Sequence, residues 1–227
     1  MESVFKFVEP KQEAAPQGLI KFFGLERWWL NEIEPYERKR IHDQYDPLGG
    51  SNKIDEGKVH STSTTKVRFL QTLAGWFLSK EGDFELCQKI LNKAEDSVTP
   101  YTSSTDLHFL YGRAVKFYYK HRKQGNNLQR AIFYCQKQID NSAKAILSMQ
   151  GEHKAMLKRL DEWGMPPRET PFYIPSHRGY YQLAIIYKKQ QEWQKVIELC
   201  QQADEQGWAG DWQKRIAEAK QKLGSGC

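Results

Sequence analysis

Residues 180–203 read YYQLAIIYKKQQEWQKVIELCQQA, and the spacing of bulky and small side chains within them decides the fold. Tyr180, Leu183, Ala184 and Tyr187 recur at three and four residues, and so do Trp193, Val196, Cys200 and Ala203. That is the period of one helical face, written twice around the polar break Lys188–Glu192. Ala184 and Ala203 are small enough to let two helices approach closely, while the three aromatics fill the angle between them. Upstream, Leu70, Leu73, Ala74, Phe77, Phe84, Cys87, Leu91 and Ala94 repeat the pattern with one extra turn residue. A third unit, Leu110, Arg113, Ala114 and Phe117, reaches Ala131 and Cys135 after an insertion at Arg122–Asn126.

The flanking text is helical as well. LIKFFGLERWWL follows Gly18, and Pro35 suits the first turn of PYERKRIHDQY. The hydroxyl run Ser61–Thr65 reads as the cap of a helix whose face carries Val67, Leu70, Leu73, Ala74 and Phe77. Asp83, then Thr105 or Asp106, then Asn126 or Asn127 are candidate starts for the next three helices, the last running on toward residue 147. Another helix, EHKAMLKRLDEW, is expected after Gly151; Ser176 is expected to cap HRGYYQLAIIYKK, and Asp211 to open WQKRIAEAKQKL. Residues 47–58, with Gly49, Gly50 and Gly57, read as loop, and 164–175, with four prolines, as a stiff extended connector. Three segments follow. Residues 1–17 are a flexible N-terminal tail with an apolar patch at Val4, Phe5, Phe7 and Val8; residues 18–58 form an N-terminal helical cap and loop. Residues 59–227 form a helical array closed by a C-terminal capping helix.

The three units resemble the tetratricopeptide repeat, over about half of the chain. The resemblance implies an all-α fold, a right-handed α-α superhelix of antiparallel helix hairpins with helical caps. Two departures stand out: the turn position where the family favours Gly holds Gln191, and the later Pro is absent. By the same resemblance the first helix of each hairpin lines a groove for a peptide or partner protein. Its residues would be Arg68 and Gln71 in one unit, His108, Tyr111, Val115 and Tyr118 in the next, and Arg178, Tyr181, Ile185 and Lys188 in the last. This mixture of Arg, Lys, Tyr and His suits a ligand bearing carboxylates.

Composition agrees with a folded, helical chain. Aromatics make up 13% of 227 residues, too much apolar surface to leave in water, and only seven Val disfavour an all-β fold. No apolar run approaches the length of a membrane span, and the N-terminus has an acid at Glu2 and too short an apolar stretch for a secretory signal. Four cysteines without a CxxC pair fit neither a disulfide scaffold nor a zinc module, so reduced thiols and a cytoplasmic setting are expected.

No motif points to catalysis. Phosphate-binding glycine loops, a GxSxG elbow and HExxH are all absent. Cys87, Cys135 and Cys200 fall where a small apolar residue packs, and His108 lies two residues from Asp106, a spacing that does not pair side chains on a helix. The expectation is a non-catalytic interaction module, an adaptor, with neither cofactor nor metal. The formal charge of +6 carries an alternative. Between Arg113 and Arg159 eleven basic residues face only Asp140 and Glu152, and Arg113, Lys116, Lys120, Arg122 and Lys123 could contact the phosphates of a nucleic acid.

Overall fold

A computed structural model describes residues 15–47, 54–78, 82–165 and 171–224. The apolar patch at Val4–Val8, Gly49, Gly50, Pro166, Pro167 and Cys227 lie outside the described residues. Eleven helices and no strand are found among the described residues, which makes the fold all-α. No helix there is long and apolar enough to cross a membrane. The chain divides into two compact units, residues 1–63 and 64–227.

The first unit holds α1 (Gly18–Phe22), α2 (Glu26–Asn31) and α3 (Pro35–Gln44). The single apolar run LIKFFGLERWWL is split because Gly24 takes a positive φ of 64° between α1 and α2. Pro35 does occupy the first turn of α3, behind a capping box between Glu34 and Glu37. The segment 54–57 is stitched to α1 by backbone bonds from Gln17 to Asp55, Gly18 to Gly57 and Ile20 to Ile54. Gly18 has φ +57°, and a Cβ there would stand 2.5 Å from the Ile54 carbonyl oxygen. Only glycine satisfies both demands.

The second unit comprises α4 (Lys66–Gly75), α5 (Phe84–Asp96), α6 (Ser104–Lys120), α7 (Asn127–Asp140), α8 (Ser142–Glu162), α9 (Arg178–Lys189), α10 (Trp193–Glu205) and α11 (Trp212–Gly224). Consecutive helices pack as α4 on α5, α6 on α7 and α9 on α10, with α11 against α10. First helices also pack side by side, α4 on α6 and α6 on α9, while α7 packs on α9. The small residues read from the sequence lie at these crossings: Ala74, Cys87, Ala94, Ala131, Cys135, Ala184, Cys200 and Ala203 are all buried. The Cys87 thiol even reaches the Ala74 carbonyl across the α4–α5 crossing, at 3.6 Å. Burial pushes the Cys87 and Cys135 thiols up to about 12 and Cys200 to about 11, so all three stay protonated.

Several boundaries differ from the sequence reading. Thr65 caps α4 by accepting the Arg68 N–H, as expected, but α6 is capped by Ser103, because Thr105 and Asp106 already lie inside the helix and are buried. His177, not Ser176, caps α9, its Nδ1 accepting the Tyr180 N–H. The helix after Asn126 stops at Asp140, and α8 begins almost at once and runs unbroken through Gly151. Nothing lies within 4 Å of a Cβ at that glycine, so neither packing nor a turn interrupts the helix there. Gln191, at the turn position where the tetratricopeptide repeat favours glycine, has φ 59°.

Candidate functional site: a cationic face across four helices

In α6, α9 and α11 one stripe of each helix is exposed or half-buried, and beside them α4 is half-buried along Arg68, Thr72 and Gly75. On α6 the stripe is Phe109, Arg113, Lys116 and Lys120; on α9 it is Arg178, Tyr181, Ile185 and Lys188; on α11 it is Arg215, Glu218 and Lys222, with Asp211 just before the helix. Their spacing of three and four residues stacks them along one side of each helix. Side-chain contacts join the stripes. The Arg113 Nε donates to Gln71 Oε1 of α4 at 3.4 Å, the Arg215 guanidinium lies 4.3 Å over the Tyr181 ring, and Lys188 pairs with Glu218 at 2.8 Å.

Two glycines shape this face. A Cβ at residue 75 would stand 3.1 Å from the Arg113 guanidinium carbon, so Gly75 lets that group lie flat on α4. A Cβ at residue 112 would stand 2.9 Å from Gln138 Nε2 and 3.7 Å from the Arg178 Cβ, so Gly112 is where α9 closes on α6. The two arginines are thereby neighbours. Burial, and then the charge of Arg178, push the pKa of Arg113 down from its ordinary value. Among the described residues neither has a carboxylate partner; Arg113 meets Gln71, and Arg178 meets only the Tyr181 ring at 6.0 Å. Other cations nearby are neutralised: Arg68 by Asp106 and Glu152, Arg215 by Asp211, Lys188 by Glu218.

The residues expected in the groove divide sharply. Gln71, His108, Tyr111 and Tyr118 are only 5%, 2%, 8% and 1% exposed. They line helix–helix interfaces, with Tyr118 stacked on Tyr134 and under Arg130. Helix α6 is wrapped by α4, α7, α8 and α9, so the side predicted to face a ligand is covered and Phe109, Arg113 and Lys116 face outward instead. Arg68 is tied into α8: its Nε donates to Asp106 at 2.6 Å and its NH2 to both Glu152 oxygens at 3.0 Å. Arg178, Tyr181 and Lys188 are exposed together on α9. Of the basic patch, Lys116, Lys120 and Lys123 are exposed, whereas Arg122 folds back to donate to the Tyr119 carbonyl and lies 4.5 Å over that ring.

Helix α8 borders this face. Ser148 accepts from the Thr105 hydroxyl at 2.8 Å, the Asn141 amide donates to the Ser104 carbonyl, and Glu152 holds Arg68, so α8 passes the start of α6 and reaches the first turn of α4. Its first half buries Ser142, Ala145 and Met149; further along, Met156 and Trp163 are exposed.

A second cluster lies beneath the start of α9. His108 stacks on Trp208 at 5.0 Å with the planes 3° apart, and His177 meets the same indole edge-on at 4.6 Å. Gln138 ties them down, donating to the His108 carbonyl at 2.7 Å and accepting the Gly179 N–H at 2.6 Å. Burial lowers His108 to about 4, and burial plus the neighbouring His108 lowers His177 to about 3. Both rings are neutral at neutral pH. No group of three His, Cys, Asp or Glu among the described residues could hold a metal ion.

Sequence reading missed two contributors. Helix α11 was read only as a cap, although Asp211, Arg215, Glu218 and Lys222 already repeat at helical spacing in the sequence. Gln138 carried no signal, since its role depends on two backbones that meet only in the folded chain. No family model matches this chain, and neither a curated protein nor a solved structure matches it.

Proposed function

We propose that the chain is a non-catalytic, cytoplasmic protein-interaction module of tetratricopeptide-repeat type. In this reading α4, α6, α9 and α11 line the inner side of a right-handed superhelix and hold an acidic peptide or an acidic surface of a partner protein. The observation that carries the reading is the Arg113–Arg178 pair, two arginines brought near each other where Gly112 lets α9 close on α6, neither with a carboxylate partner among the described residues. Like charges held together and partly desolvated cost stability unless an anion completes them, and guanidinium is the side chain best shaped for a carboxylate. The exposed Tyr181 between Arg178 and Arg215 adds a flat apolar contact of the kind common at binding hot spots.

The test is fluorescence anisotropy with a fluorescein-labelled hexaglutamate peptide. Changing Arg113 and Arg178 together to Ala is expected to weaken binding at least tenfold, while Arg68→Ala, already neutralised in the fold, changes it little. Equal affinity in wild type and the double variant refutes the reading. A second reading draws on Lys116, Lys120 and Lys123, exposed and without an ion-pair partner among the described residues, as a track for a polyanion. It prevails if their replacement by Ala abolishes retention on heparin, steeply salt-dependent in wild type, while hexaglutamate binding is undetectable.

A further inference from the structure

The cationic pair does not end the groove. Between α9, α10 and α11 the surface opens into a crevice of about 170 Å3, floored by Ala184, Val196 and Ala219 and walled by Trp193. The floor is low because alanines stand on α9 and α11, where larger side chains would close the gap. Its volume compares with the ~150 Å3 of an apolar cavity able to take benzene. The rim is charged, with Lys188, Arg215 and Lys222 against the single acid Glu218. Arg215 also lies over Tyr181, and Tyr181 lines a second hollow of about 260 Å3 beside Arg178. The hollow and the crevice thus follow one another along α9, the first at Arg178 and Tyr181 and the second at Ala184 and Lys188, with the Arg215 guanidinium over Tyr181 at their boundary.

From this geometry we infer that the crevice receives one aliphatic or phenyl side chain of the same acidic peptide whose carboxylates meet Arg113 and Arg178. The inference rests on the acidic-peptide reading above and adds a register to it. Six to ten residues along a helix cover about 9–15 Å, which an extended peptide spans in about three to four residues. The apolar side chain therefore sits three or four positions from the carboxylates. With Lys188 and Arg215 already paired to Glu218 and Asp211, Lys222 is the rim cation left without an ion-pair partner among the described residues, and it favours an acidic over a basic peptide at that end as the arginine pair does at the other.

Two labelled peptides make the test, Glu-Glu-Ser-Ser-Leu-Ser and the same peptide with Ala for Leu. Burying one leucine side chain corresponds to about a tenfold or greater gain, so the Leu peptide is expected to bind at least tenfold tighter to the wild-type chain. Moving Leu next to the Glu pair should abolish the gain. A second arm needs no acidic peptide. Titration with N-acetyl-leucine amide at millimolar concentration should shift the Trp193 indole N–H resonance, assigned through Trp193→Phe, and Ala219→Val should suppress that shift. Equal affinity of the Leu and Ala peptides, or an unmoved Trp193 resonance, overturns the crevice inference. Loss of both peptides on mutating Arg113 and Arg178, with no preference for Leu, leaves the acidic-peptide reading standing and removes only the crevice. A moved Trp193 resonance with no binding of either peptide refutes the shared register and the acidic-peptide reading together.

Discussion

Acidification should unfold the helical array through His108 and His177, and the structure sets the size of the effect. Both rings are buried and neutral, with pKa values of about 4 and about 3 against an ordinary 6.5. A group whose folded pKa is depressed contributes stability that is complete above its unfolded pKa and lost as pH falls toward the folded value. The window thus opens near pH 6.5 and closes between about pH 4 and pH 3. At pH 5.5 the unfolded chain has bound most of both protons and the folded chain almost none. Each histidine then withdraws about 1.4 kcal/mol, so the pair withdraws about 3 kcal/mol between pH 7.5 and 5.5. The contacts explain why the folded chain refuses these protons. His177 Nδ1 already accepts the Tyr180 N–H, so protonation there destroys the α9 cap, and the buried His108 Nδ1 has no hydrogen-bond partner among the described residues. Urea unfolding followed by far-ultraviolet circular dichroism at pH 7.5 and 5.5 measures the loss. The double variant His108→Phe with His177→Asn keeps a ring on Trp208 and an N-cap acceptor but cannot titrate. Wild type should lose about 3 kcal/mol more than this variant over the interval. An identical loss in both proteins would refute the argument, because the protons would then be withheld somewhere else.

Three further outcomes follow from individual backbone and side-chain positions. Gln191→Gly should raise stability by about 1 kcal/mol, since residue 191 has φ 59° and glycine takes that conformation without strain; urea midpoints check it. Gly179→Ala should lower stability by about 1–3 kcal/mol, because its Cβ would stand 2.8 Å from the Cys135 carbonyl and 3.0 Å from Gln138 Oε1, both held by the α7–α9 packing. Glu152→Ala breaks a half-exposed pair with Arg68 and should cost about 1 kcal/mol or less overall. Hydrogen exchange should nevertheless quicken after residue 150 in α8 while residues 142–149, buried against the array, stay protected.

The helical class, the hairpin order and the residues at the crossings were legible in the sequence for one reason. Period and side-chain size are local properties, and a row such as Leu183, Ala184, Tyr187 implies both a helix and the face it buries. Tyr180, Leu183, Ala184, Val196, Cys200 and Ala203 are indeed buried. The candidate site was legible only on α9, where one side packs and the other is free. On α6 the same reasoning chose His108, Tyr111 and Tyr118, and the fold buries all three.

Sequence by itself determined that the chain folds into helices, where most of them begin, and which small residues they touch through. Tertiary structure alone decided which side of α6 faces water, because that depends on how many neighbours surround it, and α8 covers a side that a bare hairpin array would expose. It also decided that Arg113 and Arg178 meet. They are 65 residues apart, and they become neighbours only because Gly75 and Gly112 have no side chain to keep the three helices at arm's length.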